Sequence, residues 1–421
     1  MVREPKTYLF LTQVYVPDPA SVGQHMADAA TELVRRGHRV IVLTSRRGYE
    51  DPSVSYRARE RVAGVEVLRV PLASFGKGSL LLRIAAAISF VVQSALRGLR
   101  VPRPDAIVVS TSPPLAPVAA LFLSWARRVA IKYWVMDLNP DQLIALGVIG
   151  QSSVFARALE RLNRLILGRA ASVVVLDRFM AERVSHKCEG VGSKLHVIPP
   201  WPHEDHLEEV PPERNPFRQR HRLDAKFVVM YSGNHSSSNP ITTVIEAAKR
   251  LEGEDGLLFM FVGGGSAKKE VDAARSENIR SLPYQPLAEL GFSLSAADVH
   301  LVSVGERMAG VVHPCKVYGA MAVGRPIILL GPERCHVGDI LARHRVGWRV
   351  SHGDVDAAVA LLRSLPGATR SELASMGRRA RAAIREHFSK ERLCTEFCDV
   401  LERGVVSRSV SLEQKVARFP A

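Results

Sequence analysis

Residues 310–328, GVVHPCKVYGAMAVGRPII, predict a loop, a helix and a buried strand in succession. Pro314 fixes φ near the first helical turn, where the missing N–H of proline costs little. Lys316 lies beside the helix start, where free N–H groups and the helix dipole favour anions. Gly324 ends the helix, and an apolar strand follows at 327–330. A lysine in this position is typical of a phosphate site; the alternative is a solvated lysine on an ordinary turn.

Length and charge favour a two-domain globular protein with an anionic partner. The chain has 421 residues, more than one hydrophobic core usually holds, with 47% hydrophobic and 24% charged residues. Its net charge of +15 predicts attraction to nucleotide phosphates or to an acidic membrane face. Because the charges are scattered and only 6% of residues are aromatic, nucleic-acid binding is disfavoured.

Cysteine usage and the apolar segments indicate a cytoplasmic protein. The five cysteines form no C-x-x-C pair, which fits a reducing compartment and offers no metal-site spacing. The N-terminal segment looks like a strand and not like a signal peptide. No uninterrupted apolar run approaches the ~20 residues needed to span a bilayer.

Short apolar strands alternate with helices twice along the chain. The first series predicts strands at 8–11, 39–43, 65–70, 106–110, 130–135 and 172–176. A proline-rich stretch at 197–216 precedes a second series, with strands at 227–231, 257–262, 299–302 and 327–330. Alternation of this kind predicts parallel sheets with crossover helices. The expected fold class is α/β, with doubly wound domains over 1–205 and 206–384 that face a cleft.

Five segments carry a resemblance to a known family. They are the opening strand with Pro17–Gly23 and Arg36-Gly37-His38-Arg39-Val40, then Ser110-Thr111-Ser112-Pro113-Pro114, Met136-Asp137-Leu138-Asn139-Pro140, Tyr231-Ser232-Gly233-Asn234 and the segment from Pro314 to Pro326. In their order and spacing the chain resembles the GT-B glycosyltransferases, in particular the family 4 subgroup that builds bacterial surface polysaccharides. The resemblance implies two Rossmann-like domains. We also expect the terminal helix, within 385–421, to pack back on the first domain.

The resemblance places a nucleotide-sugar donor, linked to UDP or GDP, on the second domain. Lys316 would contact the donor diphosphate and take part in catalysis. The implied donor-binding residues are Gly23, Gly233, Asn234, His235, Gly263, Gly264, Leu282, Pro283, Tyr284, Pro314 and Lys316. The segment Leu282-Pro283-Tyr284 would hold the base, mainly through backbone groups. For the glycine run 263–265, close backbone approach to the donor and a plain strand-to-helix turn remain alternatives.

The first domain would supply the acceptor side. Gly23 precedes a predicted helix and lacks a Cβ, so its N–H is expected to reach a donor phosphate. Ser112, Pro113, Pro114 and Asn139 are the implied acceptor-binding residues. Asp137 follows a predicted strand, and the resemblance implies that it orients or deprotonates the acceptor hydroxyl. The alternative for Asp137 is a helix cap.

One departure from the family pattern concerns donor recognition. The wider family carries two glutamates eight positions apart, and the matching positions here are Val311 and Gly319. These carboxylates usually contact donor hydroxyls and ribose, so recognition of the sugar and ribose must differ. Glu306 is near enough in sequence to substitute from the loop.

The segment 77–103 has the pattern of a basic amphipathic helix, with apolar residues at 80–82 and 84–92 among Lys77, Arg83, Arg97, Arg100 and Arg103. Such a helix is typical of an anionic membrane interface. The alternative is a crossover helix buried within the domain.

These features predict a cytoplasmic glycosyltransferase, peripheral on the inner face of the plasma membrane. It would move a hexose or N-acetylhexosamine from a nucleotide sugar to a polyprenyl-linked or saccharide acceptor, with retention and without a metal or a cofactor. The alternatives are a GT-B-fold nucleotide-sugar epimerase, which requires clustered acid and base carboxylates, and a catalytically inactive nucleotide-sugar binding protein.

Overall fold

The computed structural model describes residues 4–49, 51–71, 80–203 and 207–403. The described residues divide into two units: the first joins 4–200 to 391–403, and the second is Trp201–Lys390. The boundary expected at residue 205 lies five residues beyond this division. The return to the first unit, expected from residue 385, begins at Glu391.

The first unit is built on an eight-stranded sheet with the order β3-β4-β2-β1-β5-β6-β7-β8. All neighbours are parallel except β3 and β4. The central strands are apolar and buried, as expected where helices cover both faces of a parallel sheet. The strands are β1 (Thr7–Leu11), β2 (Arg39–Ser45), β3 (Arg59–Val62), β4 (Val65–Val70), β5 (Ala106–Ser110), β6 (Ala130–Trp134), β7 (Ser172–Val175) and β8 (Leu195–Val197).

Amphipathic helices connect these strands. They are α1 (Ser21–Arg35), α2 (Leu80–Arg100), α3 (Ala116–Arg127), α4 (Asp141–Ala145), α5 (Val154–Arg169) and α6 (Arg178–Lys187). Helix α3 packs against both α2 and α5, so the three form one layer on the sheet.

The second unit is a six-stranded, all-parallel sheet with the order β11-β10-β9-β12-β13-β14. Its strands are β9 (Phe227–Ser232), β10 (Leu257–Val262), β11 (Ile279–Leu282), β12 (Val299–Ser303), β13 (Ile327–Leu330) and β14 (Gly347–Val350). Its first strand, β9, thus lies between the second and the fourth, which is the Rossmann order with a switch point between β9 and β12.

The helices of the second unit cover both faces of its sheet. They are α7 (Pro216–Arg220), α8 (Thr242–Arg250), α9 (Lys268–Ala273), α10 (Leu290–Ser295), α11 (Lys316–Ala322), α12 (His336–His344), α13 (Val355–Ser364) and α14 (Arg370–Ala383). A π-helical turn, Ile384–Phe388, follows α14. Helix α11 ends before Gly324, whose φ of 67° is the left-handed conformation that closes many helices.

The last described helix, α15 (Lys390–Glu402), packs on the first unit. The ring of Phe397 lies 4.3 Å from that of Trp134 on β6, and Arg36 pairs with Asp399 at 2.7 Å. The buried ammonium of Lys132 donates to the carbonyl of Arg403 at 2.6 Å and so satisfies the end of the helix. Residues 404–421 of the expected terminal segment lie outside the described residues.

Candidate active site

The carboxyl end of the β9–β12 pair is where the second unit can accept a ligand. The two strands pair only at Val299–Val229 and His300–Met230, so their carboxyl ends are not hydrogen-bonded to each other. The connections from β9 and β12 lead to opposite sides of the sheet at this point. In open α/β sheets, the crevice at such a switch point is the usual ligand position.

Lys316 places its ammonium group at the end of β9. It is the first residue of α11, and its Nζ donates to the Tyr231 hydroxyl at 2.5 Å and to the Asn234 carbonyl at 2.8 Å. The same nitrogen lies 4.4 Å from the centroid of the Tyr231 ring. The expected position of Pro314 in the first turn is corrected: Cys315 is the N-cap, and the buried Pro314 precedes it.

The environment of Lys316 opposes its positive charge. Burial lowers the pKa of Lys316 to about 7, because the ammonium loses contact with water. Burial also raises the pKa of Tyr231 above its usual value, so this hydroxyl stays neutral. An anionic ligand beside Lys316 would favour the charged form of this side chain.

Two glycine turns allow the loops to approach Lys316 and each other. Gly233 has a φ of 125°, and a Cβ there would lie 2.7 Å from the Cε of Lys316. Gly263 has a φ of 128°, and its Cβ would lie 2.1 Å from the carbonyl oxygen of Gly233. Neither position accepts a side chain in this geometry, so the close approach requires glycine at both.

His235 and Lys268 fix the loop that contains the glycine run. The backbone N–H of the buried His235 donates to the Gly264 carbonyl at 2.7 Å. Burial, together with the Lys268 ammonium, lowers the pKa of His235 to about 4, so the imidazole is neutral at pH 7. Lys268 donates to the carbonyls of Phe261 at 2.7 Å and Leu282 at 3.0 Å.

The segment expected to hold a base lies beside this glycine run. The Leu282 carbonyl accepts from Lys268 and from the Gly263 N–H at 3.0 Å, which uses both lone pairs. The Leu282 carbonyl is thus engaged within the loop, and the expectation that backbone groups of 282–284 hold the base stays a prediction. The Pro283 carbonyl accepts from Gln285 at 2.9 Å. The Tyr284 side chain is 58% exposed beside Gly264 and offers a ring face.

The positions without the family glutamates belong to the core of the second unit. Val311 is fully buried, and Gly319 is buried within α11. Glu306 is exposed in the loop after β12, where the neighbouring Gly305 N–H donates to the Ser238 carbonyl at 3.0 Å. A carboxylate is thus present at the carboxyl edge of this sheet.

In the first unit, Thr111 holds two strand ends together. Its hydroxyl accepts from the backbone N–H groups of Met136 at 3.1 Å and Asp137 at 3.0 Å. The Gln13 N–H donates to the Ser112 carbonyl at 3.4 Å, which ties in the loop after β1. The half-buried Asp137 therefore lies at the carboxyl edge, close to the Ser112 loop.

The other residues expected on the acceptor side lie around this edge. Pro113 is buried and Pro114 exposed, and the Asn139 carbonyl accepts from Asn163 at 3.1 Å. The N-cap of α4 is Pro140, so Asp137 is not the residue at that helix cap.

The expected phosphate contact of Gly23 is corrected. This residue is buried in the first turn of α1, and its N–H donates to the Ala20 carbonyl at 2.9 Å. A Cβ there would lie 3.1 Å from the Tyr15 backbone, so glycine serves packing at this position.

Most of the segment expected at 77–103 forms α2, which exposes a line of apolar side chains. Residues 77–79 lie outside the described residues. Ile88, Val92 and Leu96 follow one another at helical spacing, and each is about half exposed. Within the described part of the chain, no helix is long and apolar enough to cross a membrane.

Comparisons with known proteins point to one family. The sequence model of the glycosyl transferase 4-like domain matches residues 21–201. WbjE of Pseudomonas aeruginosa, named as a glycosyltransferase, is 29% identical over 69% of this chain and 72% of its own length. WcaI of Escherichia coli K12, named as a glycosyl transferase of colanic acid biosynthesis, is 28% identical over 77% of this chain and 83% of its own. The family model and both relatives support a glycosyltransferase of family 4.

Solved structures confirm the GT-B fold of this glycosyltransferase. Sucrose-phosphate synthase from Thermosynechococcus elongatus superposes with a TM-score of 0.73 at 15% identity, covering 94% of this chain and 98% of the other. HepE from Anabaena, solved in complex with UDP-glucose, gives a TM-score of 0.68 at 15% identity, covering 94% and 99%.

Three residues of the candidate site were not expected from the sequence. Tyr231 positions Lys316, Lys268 positions the glycine loop, and Thr111 positions Asp137. Tyr231 and Thr111 each lie in a motif already singled out, at the end of a strand. Their position at a strand end was the sequence signal that could have identified these two residues. Lys268 has no comparable signal in the sequence.

Proposed function

We propose that this family 4 enzyme transfers a hexose or N-acetylhexosamine from a UDP- or GDP-sugar to a hydroxyl of a polyprenyl-linked or saccharide acceptor. The transfer proceeds with retention, without a metal, on the inner face of the plasma membrane. The observation that carries the proposal is the Lys316 ammonium at the switch point of the second sheet. It is held there by the Tyr231 hydroxyl and the Asn234 carbonyl.

The surroundings of Lys316 support a diphosphate ligand. Gly233 and Gly263 keep side chains out of the approach, and their positive φ values fix the loops without a ligand. The exposed ring of Tyr284 supplies an apolar face on which a nucleobase stacks. A structural neighbour of this chain, HepE, was solved with UDP-glucose, which is support by analogy of fold.

The chemistry requires stabilisation of the leaving group. When the bond between the sugar anomeric carbon and the diphosphate oxygen breaks, negative charge develops on the diphosphate. The Lys316 ammonium stabilises that charge, and it is effective because it is positioned before the reaction and is partly shielded from water. This arrangement performs in the protein the role that a divalent cation performs in metal-dependent enzymes.

The acceptor side is assigned to the loops around Asp137. The Thr111 hydroxyl at the end of β5 holds the Asp137 backbone beyond the end of β6. The position of the backbone that carries the carboxylate is therefore fixed. In this proposal Asp137 accepts the hydrogen bond of the attacking hydroxyl and orients it, or takes up its proton. Ser112, Pro113, Pro114 and Asn139 form the surrounding acceptor surface.

The apolar line on α2 supports a membrane-bound acceptor. Ile88, Val92 and Leu96 are exposed along one side, and the exposed Arg97 and Arg100 occupy its last turns. A helix with apolar and basic residues together lies in the plane of an anionic membrane interface. A lipid-linked acceptor would be reached there without a spanning segment.

An inactive binding protein is the second candidate, because the fully buried Val311 stands where the wider family carries a carboxylate. A nucleotide-sugar epimerase is not favoured, since acid and base carboxylates are not found clustered around Lys316 among the described residues.

Turnover separates these candidates. A thermal-shift screen of UDP- and GDP-sugars should raise the unfolding temperature with the true donor, since ligand binding stabilises the native state. That donor is then incubated with a polyprenyl-diphosphate sugar acceptor, with and without EDTA, and the product anomer is read by NMR. Transfer with retained configuration that EDTA does not affect supports the proposal. Donor binding without any transfer supports the inactive binding protein, and inversion or EDTA inhibition contradicts the proposed mechanism.

A further inference from the structure

The exposed apolar side chains of the first unit continue beyond α2. On α3, Phe122 is 43% exposed and Trp125 is 75% exposed, and on α5 Phe155 is 54% exposed. Together with Ile88, Val92 and Leu96 of α2, these side chains define what we call the α2–α3–α5 face. Large apolar side chains concentrated in this way on a protein surface mark an interaction site.

The three helices form one continuous surface. A Cβ on Gly98 of α2 would lie 2.4 Å from a methyl carbon of Leu123, so α2 and α3 are in close contact. The Arg127 guanidinium of α3 donates to the carbonyls of Gly98, Leu99 and Val101 at 2.9 Å each, which ties together the carboxyl ends of both helices. Helix α5 packs on the other side of α3.

The charge around this face is predominantly positive. Between residues 80 and 136 the only acidic residue is Asp105, and its carboxylate accepts the Thr7 N–H at 2.7 Å. Arg97, Arg100 and Arg103 are exposed at the carboxyl end of α2 and just beyond it. On α5 the one acidic residue, Glu160, pairs with Lys187 at 2.7 Å, and the same helix carries four arginines. Apolar side chains accompanied mainly by cations are complementary to an anionic lipid surface.

We infer that the α2–α3–α5 face is the membrane-docking surface of the enzyme, and that Phe122 and Trp125 are its interfacial anchors. Tryptophan combines an apolar ring with an N–H group and concentrates at the boundary between headgroups and acyl chains. All three helices then lie parallel to the membrane, which fits helices of one layer on one sheet. The inference rests on the proposed function only in that it explains access to a lipid-linked acceptor.

Trp125 provides a direct test. The four tryptophans of the chain are all described, and Trp134 and Trp201 are buried while Trp348 is partly buried. Vesicles of phosphatidylcholine with 30% phosphatidylglycerol should shift the emission to shorter wavelength, and lipids brominated near the headgroup should quench it. Trp125→Phe should abolish both signals while the protein still sediments with the vesicles.

Charge and apolar variants separate the two contributions. Phe122→Glu with Trp125→Glu should weaken partitioning about tenfold or more. Arg97, Arg100 and Arg103→Gln should weaken it about a hundredfold at low salt and little at high salt. The matched controls are Val54→Glu with Leu287→Glu, and Arg59, Arg214 and Arg275→Gln, which alter exposed residues elsewhere and should leave partitioning nearly unchanged.

Two results would overturn the inference. One is a wild-type protein that remains in the supernatant at low salt, in which case ultracentrifugation would show whether a second copy of the chain covers the face instead. The other is a Phe122→Glu, Trp125→Glu variant that binds vesicles like wild type. Calorimetry with UDP-glucose is independent of vesicles, so failure of docking and failure of donor binding are distinguishable.

Discussion

The carboxyl edges of the two sheets are built alike but differ in how they treat charge. In the second unit, the Lys316 side chain is a cation among neutral groups, and burial lowers its pKa. In the first unit, backbone N–H groups at the same edge are already satisfied, as at Gly23, Met136 and Asp137. Similar sheets thus differ at this edge: the second presents a buried lysine, and the first presents Asp137 beside backbone groups that are already hydrogen-bonded.

Substitution of one glycine at each edge tests this comparison most strongly. Gly263→Ala places a Cβ 2.1 Å from the Gly233 carbonyl oxygen at a φ of 128°, whereas Gly23→Ala meets the Tyr15 backbone at 3.1 Å. We expect Gly263→Ala to destabilise the protein by about 3 kcal/mol and Gly23→Ala by about 1 kcal/mol. Thermal unfolding with and without UDP-glucose measures both. Equal destabilisation, or unimpaired UDP-glucose binding by Gly263→Ala, would remove the distinction between the two edges.

The carboxylate of the first unit should affect the rate and not donor binding. Asp137→Asn is expected to lower transfer by about 10²-fold, the range assigned to a positioned general base, with donor affinity unchanged. Asp141→Asn is the control, because Asp141 lies on α4 and pairs with Lys187 at 2.8 Å. Normal turnover by Asp137→Asn would give this residue a structural role only.

The cation of the second unit should make donor binding depend on pH. The pKa of free Lys316 is lowered to about 7, and a bound diphosphate favours the charged form, so above pH 7 binding requires proton uptake. The affinity for UDP-glucose should be constant below pH 7 and fall about tenfold per pH unit above it. Lys316→Arg stays charged and should show no such fall. A wild-type affinity that is flat from pH 6 to 9 would contradict the assignment.

The sequence predicted the centre of each sheet and missed its edges. The four strands not foreseen are β3, β8, β11 and β14, and each is an edge strand. Their sequences RERV, LHV, IRSL and GWRV alternate polar with apolar residues or are very short, because one side of an edge strand faces water. Strands such as LLFMFV of β10, buried on both faces, give an unmistakable apolar run.

The candidate site was predictable at the level of position and not of partners. Lys316 was expected at a helix start near the Gly233 turn, on the pattern of residues and on the family resemblance. Its contact with the Tyr231 hydroxyl joins residues 85 positions apart. The contact of Lys268 with Leu282 joins the start of α9 to the end of β11. Such contacts depend on strand order and register, which local sequence patterns do not encode. The Gly23 N–H was misjudged because a tight turn at Ala20 engages it.

The central claim is that Lys316 binds the diphosphate of a nucleotide sugar. Calorimetric titration of UDP-glucose and GDP-mannose at pH 6.5 into wild type, Lys316→Ala and Lys249→Ala tests it most directly, since Lys249 is an exposed lysine that pairs with Glu246. We predict that Lys316→Ala weakens binding of the preferred donor by roughly 1.5–3 kcal/mol, the value of a charge-assisted bond to a partly buried phosphate. Lys249→Ala should bind like wild type. Equal affinity for wild type and Lys316→Ala would contradict the account.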